Sequence, residues 1–355
     1  MPVKRYNGTA WEVIAGDGVV GAPGTNGTNG IDASPYSAGK NAVINGAFDI
    51  WQRGTSIAGN NQDTFAADRW NAFRSGVAGS TFTRQVTGDT TNLPSIQYCM
   101  RVARNSGNTS TSEIYAYNSF ETSNSIPFAG KTVTYSFYAR KGADYSASTL
   151  TATVWTGTGT DQNLGDTYTG VATPLTSNVT LTTSWQRFTI TGTIAATATE
   201  ISTGFVFTPV GTAGANDYFE VTGVQLELGS VATAFARNAG TIQGELAACQ
   251  RYYFRFTGNS GDLLINAAFA NTSTATAGQL QFPVTMRALP TSIDTATIRF
   301  TNFGGTGYAL SSIGFNLQTT NSCQVFAAST GMTGGQVGVI SGNGSGSFIG
   351  LSAEL

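Results

Sequence analysis

Glycine recurs at every third position in one stretch near the start of the chain, at Gly18, Gly21, Gly24, Gly27 and Gly30. A collagen-like triple helix requires this period, because the axis shared by three polyproline-like chains has room only for a residue without a side chain. The stretch therefore predicts a parallel homotrimer with a thin neck of about 45 Å, at a rise of roughly 3 Å per residue. Pro23 is the only proline in these triplets, so a flexible glycine-rich linker is the alternative interpretation.

Beyond the triplets, the pattern of apolar residues predicts an all-β protein. Between Lys131 and Arg140 the apolar side chains alternate with polar ones, which is typical of a half-buried strand in an antiparallel sheet. The same alternation recurs at Gln186, Phe188 and Ile190, at Val224, Leu226 and Leu228, and at Ala296, Ile298 and Phe300. Glycine-rich turns separate these segments, and two such sheets packed face to face form a β-sandwich or jelly roll.

The chain divides, on this interpretation, into five segments. We predict an attachment hairpin over 1–17, a collagen-like neck and linker over 18–40, a jelly roll over 41–240, a helical joint over 241–253 and a C-terminal β-sandwich head over 254–355.

Local signals support the two smaller structured segments. Asn7-Gly8 is a dipeptide that favours a tight hairpin turn, here between Val3–Tyr6 and residues 10–14. Thr241 is a suitable cap for a helix whose apolar stripe would contain Ile242, Leu246 and Cys249.

The composition disfavours several classes of chemistry. The chain has no histidine, and Cys99, Cys249 and Cys323 are widely separated, so we expect no metal site, no disulfide framework and no cofactor. A net charge of -2 does not favour nucleic acid as a partner. No apolar run approaches the roughly 20 residues that a membrane-spanning helix needs, and the first residues lack the apolar core of a signal peptide, so we expect synthesis in a cytoplasm.

Enzymatic activity is not expected. Glycosidases generally use two acidic side chains about 5 to 9 Å apart, and the acidic residues of 41–240 show no spacing that indicates such a pair. The long repeats of a β-helix are also missing, so a polysaccharide depolymerase is the less favoured alternative.

Binding to a glycan fits the sequence better, because aromatic and hydroxyl side chains are abundant in the loops. The candidate contact residues are Trp155, Tyr168, Phe303 and Tyr308. Structural alternatives stay open, since Trp155 could face a neighbouring subunit and Tyr308 could cover the edge of a sandwich.

Four motifs together resemble bacteriophage tail-fibre and receptor-binding proteins. They are the opening from Asn45 to Gly54, the segments 67–70 and 224–229, and the run from Glu245 to Tyr253. The start of the chain, Val3 to Trp11 followed by glycine triplets, is similar to the starts of virion appendage proteins in phages of marine cyanobacteria.

The resemblance implies a homotrimeric fibre, assembled in the host cytoplasm, with a jelly roll like that of carbohydrate-binding modules before a β-rich distal domain. Its N-terminus would dock on the virion tail or an adaptor protein, with Tyr6 and Trp11 as candidate docking residues, and its far end would meet a glycan or other receptor on the host. Trp51, Trp70, Gln225 and Glu227 are expected to build the domain. A capsid-mounted head fibre or decoration protein is the alternative, and a secreted carbohydrate-binding module is disfavoured.

Overall fold

The computed structural model describes residues 3–15, 39–59, 64–74 and 79–355. The chain separates into two compact units, Met1–Ser34 and Pro35–Leu355. The glycines of the predicted neck, Gly18 to Gly30, lie outside the described residues. Within the described residues the protein is all-β with few short helices, which confirms the predicted fold class.

The first unit contains a two-stranded antiparallel hairpin, with β1 at Val3–Tyr6 and β2 at Trp11–Ala15. The turn lies at the predicted Asn7-Gly8, but the connection spans residues 7–10 and the second strand begins one residue later than predicted. The Asn7 side-chain oxygen accepts hydrogen bonds from the backbone N–H groups of Thr9 and Ala10, at 3.1 and 2.9 Å, and so stabilises this turn.

In the second unit, two six-stranded antiparallel sheets form the first sandwich. In chain order its strands are β3 (Ser56–Gly59), β4 (Thr64–Phe65), β5 (Asn71–Arg74), β6 (Ser80–Val86), β7 (Tyr98–Arg104), β8 (Ile114–Ser119), β9 (Thr132–Lys141), β10 (Leu150–Gly157), β11 (Ala172–Val179), β12 (Gln186–Thr193), β13 (Glu200–Phe207) and β14 (Tyr218–Leu228). One sheet has the order β11-β10-β13-β8-β5-β4 and the other β12-β9-β14-β7-β6-β3. From β5 to β14 most connections cross between the sheets, as in a jelly roll. A short helix α1 (Thr122–Ser125) and two 3-10 turns, Ile126–Phe128 and Leu164–Asp166, lie between strands.

The apolar residues that alternate along the strands form the core of this sandwich. The predicted inward face of β9 is fully buried, and Phe137 meets Phe205 of the opposite sheet at a centroid distance of 4.8 Å. The prediction for β14 was wrong at Leu228, which is exposed, whereas Gln225 and Glu227 on the other face are buried. Their side chains bind the segment after the strand, and Glu227 accepts a hydrogen bond from the backbone N–H of Thr233 at 2.9 Å.

The second sandwich follows helix α2 (Ile242–Gln250), in which Thr241 caps the Gly244 N–H at 3.1 Å as predicted. The buried helix positions are Glu245 and Cys249, so the predicted apolar stripe is wrong at Ile242, which is exposed. The strands are β15 (Tyr253–Gly258), β16 (Leu263–Ala270), β17 (Ala275–Gln281), β18 (Ser292–Ala296), β19 (Ile298–Asn302), β20 (Gly307–Ala309), β21 (Ser311–Asn316), β22 (Ser322–Ala328), β23 (Val337–Gly342) and β24 (Ser347–Ser352).

These strands form a three-stranded sheet, β15-β24-β18, and a seven-stranded sheet, β20-β19-β23-β16-β17-β22-β21. Ala296, Ile298 and Phe300 do not share one strand, because Thr297 has a φ of 50° and the chain passes there from one sheet to the other. Both sandwiches belong to one compact unit, so the predicted domain boundaries stay predictions.

The motifs of the phage resemblance meet where the two sandwiches join. The guanidinium of Arg69 lies 3.6 Å from the ring centroid of Tyr252 and forms an ion pair with Glu354. Gln52 donates a hydrogen bond to the Tyr253 carbonyl at 2.7 Å. These residues therefore build the joint.

Candidate functional site

The outer face of the sheet β11-β10-β13-β8-β5-β4 carries a group of aromatic side chains. On β5, β8 and β10 the apolar residues Ala72, Ala116 and Val154 point into the core. Because side chains alternate along a strand, Phe73, Tyr115, Tyr117 and Trp155 project from the opposite face. Phe73 and Tyr115 are directly paired, with ring centroids 5.9 Å apart.

A glycine, Gly204, lies on β13 between the strands that carry Tyr117 and Trp155. Gly204 on β13 is paired with Tyr117 on one side and Thr153 on the other. A Cβ atom at Gly204 would lie 2.4 Å from the Ala116 carbonyl oxygen and 2.7 Å from Tyr117. Glycine at this position therefore allows β13 and β8 to pair closely beside Tyr117.

A loop forms the wall of the groove. Leu164, Gly165 and Val171 lie beside Phe73, Tyr115, Tyr117 and Trp155, and together these seven residues enclose a cavity of about 250 Å³. We refer to them as the aromatic groove. Its volume is close to the lower end of the range for small-molecule sites, roughly 300 Å³.

The loop is held from behind by hydrogen bonds. Tyr168 is buried and its hydroxyl donates to the Ile201 carbonyl at 3.1 Å. The Leu164 N–H donates to the Ser119 hydroxyl at 3.2 Å, and Thr122 and Asp161 exchange hydrogen bonds at 2.8 and 2.9 Å.

The second sandwich supports the same loop. Arg287 forms an ion pair with Asp161 at 3.2 Å, and the Asn163 side-chain amide donates to the Leu355 carbonyl at 3.3 Å. The position of this loop therefore depends on contacts with both sandwiches.

The groove itself is uncharged, since none of its seven lining residues is ionisable at neutral pH. The Tyr115 hydroxyl donates a hydrogen bond to Glu113, and burial together with this carboxylate raises the pKa of Tyr115, so it stays protonated. The indole N–H of Trp155 donates no hydrogen bond to any residue that the structure describes. Hydroxyl groups continue the face, with Thr153 and Thr176 within 3.1 Å of each other.

Aromatic faces beside hydrogen-bonding groups suit a ligand with an apolar face and a polar edge. A sugar ring has both, because its C–H surface can lie on an aromatic ring while its hydroxyls bind polar groups. The lining residues hold no pair of carboxylates, so this arrangement can bind a sugar but lacks the groups that glycosidases use.

The four predicted contact residues do not form one site. Trp155 lies in the aromatic groove, whereas Tyr168 is buried, does not line the groove and anchors the loop wall, so its contact with a glycan stays a prediction. Phe303 and Tyr308 lie in the second sandwich. Phe303 is 72% exposed, while Tyr308 packs towards the core and stacks on Phe300.

Sequence reasoning missed Phe73, Tyr115 and Tyr117. The alternation of Ile114 and Ala116 with the two tyrosines could have identified their common face. Their proximity to Trp155 follows only from the position of β13 between β8 and β10.

The predicted docking residues of the hairpin are neighbours. Tyr6 and Trp11 are paired across β1 and β2, with ring centroids 5.3 Å apart, and both are exposed. Their role in docking stays a prediction.

Trp51 and Trp70 are buried, and all three cysteines are free and buried, as predicted for residues that build the fold.

Among the described residues, no cluster of three or more acidic, histidine or cysteine side chains is arranged to hold a metal ion. No helix in the described part of the chain is long and apolar enough to cross a bilayer.

Among known proteins, similarity to this chain is found in solved structures. No family model matches the chain, and no curated protein does. The similar structures include a family 4 carbohydrate-binding module, at 18% identity, 53% coverage of this chain, 100% of that chain and a TM-score of 0.31.

Two further similar structures are also of carbohydrate-binding domains. A xylan-binding domain from Paenibacillus barcinonensis has 14% identity, covers 55% of this chain and 99% of its own, and has a TM-score of 0.31. A carbohydrate-binding module in complex with β-1,4-galactotriose has 10% identity, 53% and 99% coverage, and a TM-score of 0.32. Because these identities and TM-scores are low, we take the ligand chemistry of this chain from its own residues.

Proposed function

We propose that this chain is a non-catalytic, glycan-binding protein whose aromatic groove holds a neutral sugar. The observation that carries the proposal is the uncharged groove lined by Phe73, Tyr115, Tyr117 and Trp155, in which Tyr117 is almost fully buried and the other three rings are partly exposed. One sugar ring can stack on the face of Trp155, and a hydroxyl group at the edge of the indole can accept a hydrogen bond from its N–H.

The charges near the groove favour a neutral ligand over an acidic one. Glu113 adjoins Tyr115, and Asp166 follows the lining residues Leu164 and Gly165 along the chain. An acidic glycan would meet these carboxylates without a compensating lysine or arginine in the groove wall.

We further propose that the chain serves as a receptor-binding appendage of a phage virion, a tail fibre that attaches the particle to a host glycan. Support comes from the resemblance of the four motifs and of the hairpin with its glycine triplets. Three copies on one fibre would raise the overall avidity even where each groove binds weakly.

Titration of the full-length chain with xylohexaose, cellohexaose and β-1,4-galactotriose as neutral probes, and oligogalacturonate as the acidic probe, tests the groove. We expect binding to a neutral probe, and Trp155→Ala should weaken it at least tenfold, about 1.4 kcal/mol. Tyr218→Ala, on the opposite sheet, is the control and should leave the affinity unchanged. Equal binding by the wild type and Trp155→Ala, or a preference for oligogalacturonate, would contradict the proposal.

A further inference from the structure

Five residues form an apolar row across the outer face of the seven-stranded sheet. Phe326, Ala277, Phe269 and Val337 are directly paired from β22 through β17 and β16 to β23. Phe303 continues the row, because its N–H donates to the Val337 carbonyl at 3.2 Å. We refer to these five residues as the head row.

The large side chains of the head row are unusually exposed. Phe269 and Phe326 are 46% and 39% exposed, and Val337 and Phe303 reach 57% and 72%. The core-facing neighbours Ala268, Val325 and Ile340 are buried, so the row is on the far side of the sheet from the core. Ala277, between the two phenylalanines, is buried, so the exposed apolar surface consists of the four larger side chains. An exposed apolar patch of this kind commonly marks a contact surface.

Charged residues are few near the row. Arg299 of β19 projects from the same face and donates a hydrogen bond to Ser341 of β23 at 3.4 Å. No Asp, Glu, Lys or Arg occurs from Leu263 to Met286 or from Phe300 to Ala353, which together include β16, β17 and β20 to β23. The neighbours are also small. The Phe326 ring lies so close to Gly314 that a Cβ there would be 2.6 Å from it, and Ala277 separates the Phe326 and Phe269 positions.

We propose that the head row is the surface through which copies of this chain pack against one another. The inference rests on the proposed trimer and locates its main contact. An uncharged apolar face matches another copy of itself, whereas a charged partner would lose hydration without gaining an ion pair. The triple helix that the glycine period predicts would hold three copies in parallel, so the same face of each copy would be present at high effective concentration.

The neck must be disabled to test this surface, because it could hold the copies together by itself. In full-length protein carrying Gly24→Val and Gly27→Val, bulky side chains prevent triple-helical packing. We expect this neck variant to remain trimeric by sedimentation at micromolar concentration.

Val337→Lys added to the neck variant should then convert trimers to monomers, with at least a tenfold weaker association. Val210→Lys is the matched control, since Val210 of the first sandwich is also 57% exposed, and it should leave the trimer intact. Circular dichroism would verify that each variant is folded.

A neck variant that is already monomeric, or one that stays trimeric with Val337→Lys, would overturn the inference. Neither result affects the aromatic groove, whose test is the affinity of the wild type and Trp155→Ala for neutral oligosaccharides.

Discussion

The guanidinium of Arg69 lies 3.6 Å from the centroid of the Tyr252 ring and so connects the first sandwich to the chain that enters the second. The same guanidinium pairs with Glu354, and both side chains are almost fully buried. The joint is therefore a desolvated ionic and aromatic contact, which depends on a planar cation with several N–H donors.

Arg69→Ala should lower the free energy of unfolding by about 3 kcal/mol, because it removes one of the two arginines that pair with the buried Glu354 carboxylate and leaves only Arg53, at 3.4 Å. Denaturation in urea would measure the change. Arg84→Ala is the comparison, since Arg84 also lies over a tyrosine, at 4.5 Å from the Tyr98 ring, but forms no ion pair with a described residue. It should cost about 1 kcal/mol or less. Equal losses in the two variants would show that the ion pair is not what holds the joint.

A second contact across the joint should make the free energy of unfolding depend on pH in the acidic range. Arg251 donates hydrogen bonds to both carboxylate oxygens of Glu121, at 3.2 and 3.0 Å. Burial alone raises the pKa of Glu121, but the hydrogen bonds from Arg251 and Tyr252 and the charge of Arg251 outweigh it and hold the pKa below its usual 4.5. A depressed carboxyl pKa stabilises the folded state above pH 4.5, and this contribution disappears as the pH falls through the folded-state pKa.

Glu121→Gln should consequently be less stable than the wild type at pH 7, and the difference should shrink as the pH falls below 4.5. The difference at pH 7 should be at most about 1 kcal/mol, because Arg251 is partly exposed to solvent. Urea unfolding at several pH values would measure it. A difference that stays constant from pH 7 to pH 3 would contradict the titration of Glu121 as its source.

Local patterns predicted the fold well where a strand keeps one environment along its length. The alternation in β9 identified Val133 to Ala139 as core because one face of that strand is buried throughout. It failed at Thr297, where a positive φ divides an apparently continuous strand between two sheets.

The candidate site was predicted only in part, because its residues meet through strand pairing between distant segments. Trp155 was identified from its own strand, but its neighbour Tyr117 is 38 positions away and joins it through β13. Tyr168 resembled a loop contact, yet Gly157 leaves space for its side chain: a Cβ at Gly157 would lie 2.7 Å from Tyr168. The spacing of residues along the sequence does not show that Gly157 and Tyr168 lie side by side.

Tyr168→Phe should loosen the wall of the groove without removing a lining residue. The substitution keeps the buried ring but deletes the hydroxyl that donates to the Ile201 carbonyl, so the loss of stability should be about 1 kcal/mol. We expect weaker binding of a neutral oligosaccharide together with faster proteolysis of the loop 158–171. Tyr145→Phe is the matched control, because its buried hydroxyl also donates to a backbone carbonyl, that of Thr149, but does not hold this loop. If both variants bind as tightly as the wild type, the hydroxyl of Tyr168 does not position the groove.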